Sequence, residues 1–182
     1  MCQERNNHLT SIARYQLTED LLFLMDDFSC GNEEIDNFFK KEAVHSCSQT
    51  THIFVDADSD TVVAAVSLSC SALVILYDEG AACDCSPSVE ITYFAVDSRY
   101  QKTPAPGDIG EGNISDIMMA QVFSLIYDFT DSTCAAENII LYSTPKAIHF
   151  YERNRFVKAD TSQFWRKHSA YLDGCTFMYQ TL

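Results

Sequence analysis

Lys146, Arg153, Arg155 and Lys158 crowd the residues around Tyr151, and Arg166-Lys167-His168 follow shortly after. Cations at that density suit an anion, phosphates above all; the plain reading of the same residues is the solvated face of a helix. The chain around them has the opposite sign. Its 182 residues carry 12 basic and 26 acidic side chains, for a net charge of −14. Such a field repels polyanions at long range, so it argues against a nucleic-acid partner and favours a cationic one.

The cysteines point to little chemistry. Cys2, Cys30, Cys47, Cys70, Cys83, Cys85, Cys134 and Cys175 are scattered, mostly within apolar segments, where a free thiol behaves as a small hydrophobe. Cys83-Asp84-Cys85 is the one close pair, and no second pair or His-x-x-x-His stands at zinc-ligand spacing, so no metal site is expected. No apolar run is long enough to span a bilayer, and the start of the chain lacks the basic-then-apolar order of a signal peptide. A cytoplasmic location with no membrane partner is the expectation. A hydrophobic content of 47% and a length of 182 residues fit a single domain over 1–182, with 1–9 as a flexible lead.

The elements that must position Tyr151 follow from pattern. Asn138-Ile139-Ile140-Leu141-Tyr142 reads as a buried strand. Thr144 then suits a helix N-cap and Pro145 the first helical position, where its missing N–H costs nothing. Ala147, Ile148, Tyr151 and Phe156 repeat at helical spacing. Upstream, Ile12 to Leu17 reads as a strand. Asn32 caps a helix with Glu33 and Glu34 in its first turn and Ile35, Phe38, Phe39 and Ala43 on its apolar face. Strands are expected over His52 to Ala57 and Thr61 to Leu68, the latter's apolar run extending toward Leu76, then an acidic loop from Tyr77 to Ser88. Val89 to Asp97 has the continuous apolar, β-branched and aromatic content of a central strand. Asn113 can cap a long helix whose stripe is Ile114, Ile117, Met118, Val122, Leu125, Ile126 and Phe129; its first N–H groups would face an anion. Two late strands are expected, around Phe156 to Ala159 and Cys175 to Gln180.

Three segments, in this order, carry a family resemblance. Phe28-Ser29-Cys30-Gly31 with Ile35-Asp36 and Phe38 is similar to the opening helix of one branch of the GNAT superfamily, the acetyl-CoA-dependent N-acetyltransferases; that branch includes toxins of toxin–antitoxin modules. Tyr93-Phe94-Ala95-Val96-Asp97-Ser98-Arg99-Tyr100-Gln101 resembles the ending of the family's fourth strand. Thr144 through Phe156 resembles the family's segment with a tyrosine after the fifth strand. The resemblance covers nearly the whole chain. It implies an α/β (α+β) GNAT fold, a mixed central sheet of about six to seven strands flanked by about four helices.

It also implies a site. Phe94, Ala95 and Val96 would pair with the pantetheine arm, and the backbone N–H of Val96 or Phe94 would polarise the thioester carbonyl. Gln101 begins the pyrophosphate loop, and Gly110, Gly112, Asn113 and Ser115 lie on its small-residue positions. Thr144 stands where the family more often has Asn, and Tyr151 would act as general acid toward the departing thiolate. Tyr151 also reads as a core or rim residue. Glu90, a strand carboxylate whose burial would raise its pKa, is a candidate base or a salt-bridged structural residue.

The loop after Gln101 departs from the family. Lys102 to Gly112 holds Pro104 and Pro106 with Asp108 and Glu111, and Asp116 follows, so acids stand where a pyrophosphate would lie unless Arg99 and Lys102 offset them. The glycine before Phe156 is replaced by Arg155, so the helix carrying Tyr151 is expected to end without a left-handed cap. The expected function is N-acetyl transfer from acetyl-CoA, as cosubstrate, to a primary amine of a small molecule or peptide. The alternatives are a toxin-like enzyme acetylating aminoacyl-tRNA and a non-catalytic protein with a degenerate cofactor loop. The pattern is compatible with a homodimer and leaves the acceptor open.

Overall fold

The computed structural model describes residues 11–77, 82–107, 111–160, 163–164, 172 and 174–182. The expected leader 1–9, Gly110, Asp108 and the Arg166-Lys167-His168 cluster lie outside them.

The elements run β1 (Ile12–Gln16), α1 (Glu33–Asn37), β2 (Thr50–Asp56), β3 (Thr61–Tyr77), β4 (Ala82–Val96), α2 (Ile114–Ser132), β5 (Asn138–Ser143), α3 (Ile148–Arg153), β6 (Val157–Lys158) and β7 (Thr176–Thr181). The seven strands form one sheet in the order β1-β2-β3-β4-β5-β7-β6. β1 and β2 are antiparallel, β4 and β5 parallel, and β7 is antiparallel to both β5 and β6. A parallel pair needs a crossover, and α2 supplies it between β4 and β5. This is the mixed α+β sheet expected from the sequence.

The described chain separates into two compact units, 1–66 with 93–121 and 67–92 with 122–182. In the first, Leu17, Met25, Phe28, Phe38, Phe39, Ala43, Ile53, Val55, Val62, Ala65 and Ala95 form a buried cluster. Its centre is aromatic. Phe39 meets Phe28 edge-on at 6.1 Å, and Phe38 stacks on Tyr93 at 3.9 Å with 16° between the rings. Such pairs add about 0.5–1.5 kcal/mol each beyond the area they bury. Truncating fully buried Phe39 to alanine would cost about 3–5 kcal/mol.

Asn32 caps α1 as its sequence position implies: its side chain accepts from the N–H groups of Glu34 and Ile35. The helix is not uniform, however. After Asn37 it widens into a π turn over Phe38–Glu42 and tightens to a 3₁₀ turn over Ala43–His45. Seating the adjacent bulky rings of Phe38 and Phe39 on one core accompanies this departure from a single regular period.

In the second unit Leu73, Ile140 and Phe177 are buried together, with Tyr142 stacked on Phe177 at 4.9 Å. β5 is central here, in register with β4 from Ser88↔Asn138 to Ile91↔Leu141 and with β7 from Asn138↔Thr181 to Ser143↔Thr176. Buried Ile139, Ile140 and Leu141 follow from that double pairing.

The expected acidic loop before Ser88 is corrected by the fold. β4 begins at Ala82, so Cys83-Asp84-Cys85-Ser86-Pro87 is strand. Pairing and nearby hydrogen bonds outweigh the poor strand propensity of these residues. The carbonyl of Pro87 accepts from Glu137 N–H at 2.8 Å, and Ser86 Oγ donates to Glu137 at 2.6 Å. No helix among the described residues is long and apolar enough to cross a membrane.

Candidate functional site

The connection from β5 into α3 carries Thr144 and Tyr151. Thr144 has the extended backbone of an N-cap, φ −62° and ψ 153°, but its side chain makes no capping bond. The cap is made by backbone instead: a 3₁₀ turn, Pro145–Ala147, precedes α3, and Ala147 N–H donates to the Thr144 carbonyl at 3.0 Å. Ser143 Oγ donates to the same carbonyl at 2.9 Å.

α3 then presents Tyr151 inward. The residue is 8% exposed, its ring edge-on to Phe150 at 5.2 Å and to Phe156 at 5.6 Å. Phe156 packs in turn on Phe123 at 5.9 Å. Burial in this aromatic setting pushes the phenol well above its ordinary pKa near 10, so it keeps its proton throughout the neutral range.

The end of α3 overturns one expectation. Arg155 adopts a left-handed conformation, φ 72°, in the place where the family carries glycine. Phe156 N–H donates to the Tyr151 carbonyl and Arg155 N–H to the Glu152 carbonyl, both at 3.0 Å. These are the paired bonds of a Schellman cap, so the cap is kept and a non-glycine residue bears its strain.

The cations near Tyr151 are partly engaged. Lys158 Nζ lies 2.9 Å from one oxygen of Glu152, and His149 Nδ1 is 3.1 Å from the other. The hydrogen bond from Lys158, then that from His149, holds Glu152 below the usual carboxylate range. Arg153 lies over the Phe150 ring at 5.6 Å, while Lys146 and Arg155 are exposed. Glu90, second in the strand expected from Val89, lies deeper in β4, which begins at Ala82. It is buried in mid β4, its Cα paired with that of Ile140.

The remaining candidates belong to the first unit. Phe94, Ala95 and Val96 are the last residues of β4, Ala95 and Val96 buried and Phe94 half-buried. The Gln101 amide nitrogen donates to the carbonyls of Val96 at 2.9 Å and Cys30 at 2.8 Å. Its side chain therefore braces the strand end. Arg99, expected as a counter-charge for the loop acids, is clamped to Asp97, Nε to Oδ1 at 2.7 Å and Nη2 to Oδ2 at 2.8 Å. Those hydrogen bonds push the guanidinium pKa up.

The long loop is pinched shut at its base. Ala105 N–H donates to the Gly112 carbonyl at 2.8 Å, Ile114 N–H donates to the Thr103 carbonyl at 2.9 Å, and Pro104 bridges to Asn113. Thr103 and Ile114 are thereby held side by side, and a short path joins the end of β4 to α2. Gly112 sits at φ 103°, which glycine alone adopts readily. Gly112 and Asn113 lead directly into α2, and Ser115 is its second residue. Asp116 N–H donates to the Asn113 carbonyl, so with Ile114 two of the first N–H groups of α2 are turned to carbonyls of the chain. That differs from a bare helix terminus open to an anion.

Sequence reasoning singled out no role for Asp97, although it stands at the end of a buried strand with Arg99 two residues on. Asp97 is 1% exposed and accepts from both Arg99 and the Ser29 N–H. Among the described residues no group of three or more His, Cys, Asp or Glu is arranged to hold a metal.

No family model and no curated protein matches the sequence. Solved structures do match. A tyrosine-to-phenylalanine mutant of KacT aligns with a TM-score of 0.68 at 15% identity, over 94% of this chain and 95% of that one. A bacterial toxin aligns at 0.67 with 17% identity, over 95% and 92%. AtaT complexed with acetyl-methionyl-tRNAfMet aligns at 0.64 with 15% identity, over 92% and 94%. At these identities the likeness is one of fold. The chain has the GNAT fold, in the form found in these toxins.

Proposed function

We propose that this protein is an N-acetyltransferase that moves the acetyl group of acetyl-CoA to a primary amine. The observation that carries the reading is Tyr151, held buried and protonated on the helix that follows β5. In the proposed step a neutral amine attacks the thioester carbonyl carbon. The C–N bond forms, the C–S bond breaks, and the sulfur leaves with the Tyr151 proton. The amine sheds its own proton to a base, for which buried Glu90 or a water chain is the candidate, and the phenolate is reprotonated from solvent. The cofactor arm would follow Phe94–Val96, with its pyrophosphate near Gly112, Asn113 and Ser115.

Two further facts support this reading. AtaT, which shares the fold, is solved with acetyl-CoA. The pinched loop also keeps the strand end and α2 joined by a short path despite the added residues.

A second reading, acetylation of aminoacyl-tRNA, is favoured by the likeness to AtaT with acetyl-methionyl-tRNAfMet. Against it stands the net charge of −14, although Lys146, Arg153 and Arg155 are a local exception to that field. A KacTA–DNA complex also shares the fold, at a TM-score of 0.66 and 15% identity.

The test is release of free CoA thiol from acetyl-CoA with a panel of amines, in parallel with a cell-free translation mix. Tyr151→Phe should lower turnover by roughly 10²–10⁴ with little change in acetyl-CoA affinity. Full turnover in that variant, under conditions where chemistry limits the rate, would make Tyr151 a packing residue. Acetylated aminoacyl-tRNA that disappears with Tyr151→Phe would select the second reading. Absence of any acetyl-CoA binding would select a non-catalytic protein.

A further inference from the structure

A carboxylate with 1% exposure at the end of a strand is an expensive group to place, and Asp97 is fully supplied with donors. Its oxygens accept from Ser29 N–H at 3.0 Å, Arg99 N–H at 2.9 Å, Arg99 Nε at 2.7 Å and Arg99 Nη2 at 2.8 Å. A second bridge joins the same two stretches of backbone. Gln101 Nε2 donates to both Val96 and Cys30 carbonyls, and Ser98 N–H donates to the Ser29 carbonyl at 2.8 Å. On the far side, Ser29 Oγ and Cys30 N–H donate to Asp36 of α1 at 2.7 and 2.8 Å. A continuous polar chain thus runs from the end of β4, through residues 29–30, into α1.

The Arg99 side chain that pairs with Asp97 is 37% exposed, and a pair open to solvent on one side adds little to stability, so stability alone is a poor reason for placing the carboxylate here. Geometry is a better reason. The chain fixes the backbone of Val96 and Asp97 against the start of α1 with directional bonds, which apolar contacts do not supply.

We propose that Asp97, with Gln101, is a positioning residue that couples the cofactor strand to the segment opening α1, so that acetyl-CoA binding at one is felt at the other. The proposal rests on the acetyltransferase reading above. It assigns Asp97 no contact with substrate; the side chain acts through the backbone that it holds.

The test compares wild type with Asp97→Asn, Gln101→Leu and Arg99→Lys, using acetyl-CoA as the probe. Three quantities are read: melting temperature, acetyl-CoA dissociation constant by calorimetry, and hydrogen exchange over residues 29–36 with and without acetyl-CoA. In wild type, acetyl-CoA should slow exchange over 29–36. Asp97→Asn should weaken acetyl-CoA binding at least tenfold and abolish that response in a protein that still melts cooperatively. Gln101→Leu should do the same to a lesser degree, and Arg99→Lys should keep most of the response. A lower melting temperature with the dissociation constant and exchange response unchanged means a structural role only, and overturns the proposal. If Asp97→Asn fails to fold, the same two measurements on Gln101→Leu decide. A wild-type protein that does not bind acetyl-CoA overturns the acetyltransferase reading and the coupling with it, an outcome separate from binding that ignores Asp97.

Discussion

Phe156 donates its N–H to the carbonyl of Tyr151 at 3.0 Å, which locks the helix carrying the candidate acid to the ring that packs against it. The lock closes through Arg155 at φ 72°, a conformation that costs a non-glycine residue about 1–2 kcal/mol. Arg155→Gly should relieve that strain, offset in part by the greater freedom of glycine in the unfolded chain. The expected net gain is about 1 kcal/mol, or roughly 2–4 °C in melting temperature for a chain of this size. Arg155→Val should do the reverse. Calorimetric melting of the three proteins checks both.

Burial raises the pKa of Tyr151 above its ordinary value near 10. The native state then holds this proton where the unfolded state releases it. The resulting contribution to stability is whole below about pH 10 and is lost as pH rises from there toward the native value. Tyr151→Phe, which has no proton to lose, should show a shallower alkaline decline than wild type. Melting temperatures between pH 8 and 11 measure it, and identical slopes would show that the phenol is better solvated than its burial indicates.

His52 moves in the other direction. Desolvation, and then the charge of Arg14, lowers its pKa below 6.5. The unfolded state therefore binds a proton that the native state refuses. Stability from this group is present above about pH 6.5 and falls as pH drops through the native value. His52→Gln should remove that part of the acid sensitivity between pH 7 and 5, read by urea midpoint at each pH. A midpoint profile parallel to wild type would sink the assignment.

Acetyl-CoA should raise the melting temperature. At about 100 times its dissociation constant a ligand specific for the native state adds about 2.7 kcal/mol. The motivation is the preserved short path between the end of β4 and the glycine-opened start of α2. No shift at millimolar acetyl-CoA would remove the cofactor from the account.

The features legible in the sequence are those written in local signals. Asn32 ahead of two glutamates, the apolar stripe from Ile114 to Phe129, the Ile139-Ile140-Leu141 run and Pro145 at a helix start each act within a few residues. Their outcomes follow from propensity, capping and periodicity. The ordering of those elements, together with the segments around Gln101 and Tyr151, was enough to indicate the GNAT fold. What the tertiary structure decided depends on which donors and acceptors the packed chain brings together, whether near or far in sequence. β4 reaches back to Ala82 despite residues that disfavour a strand. Arg155 is held left-handed because the Tyr151 and Glu152 carbonyls need donors. The loop after Gln101 is closed by bonds from Ala105 and Ile114, so its length does not separate the elements it joins. Arg99, read as a counter-charge for a loop, is taken by Asp97, because a carboxylate buried at the strand end presents both oxygens to its guanidinium. Propensity and spacing act over a few residues and can be read along the chain; which donor satisfies which acceptor is settled only when the packed chain fixes the groups that reach it.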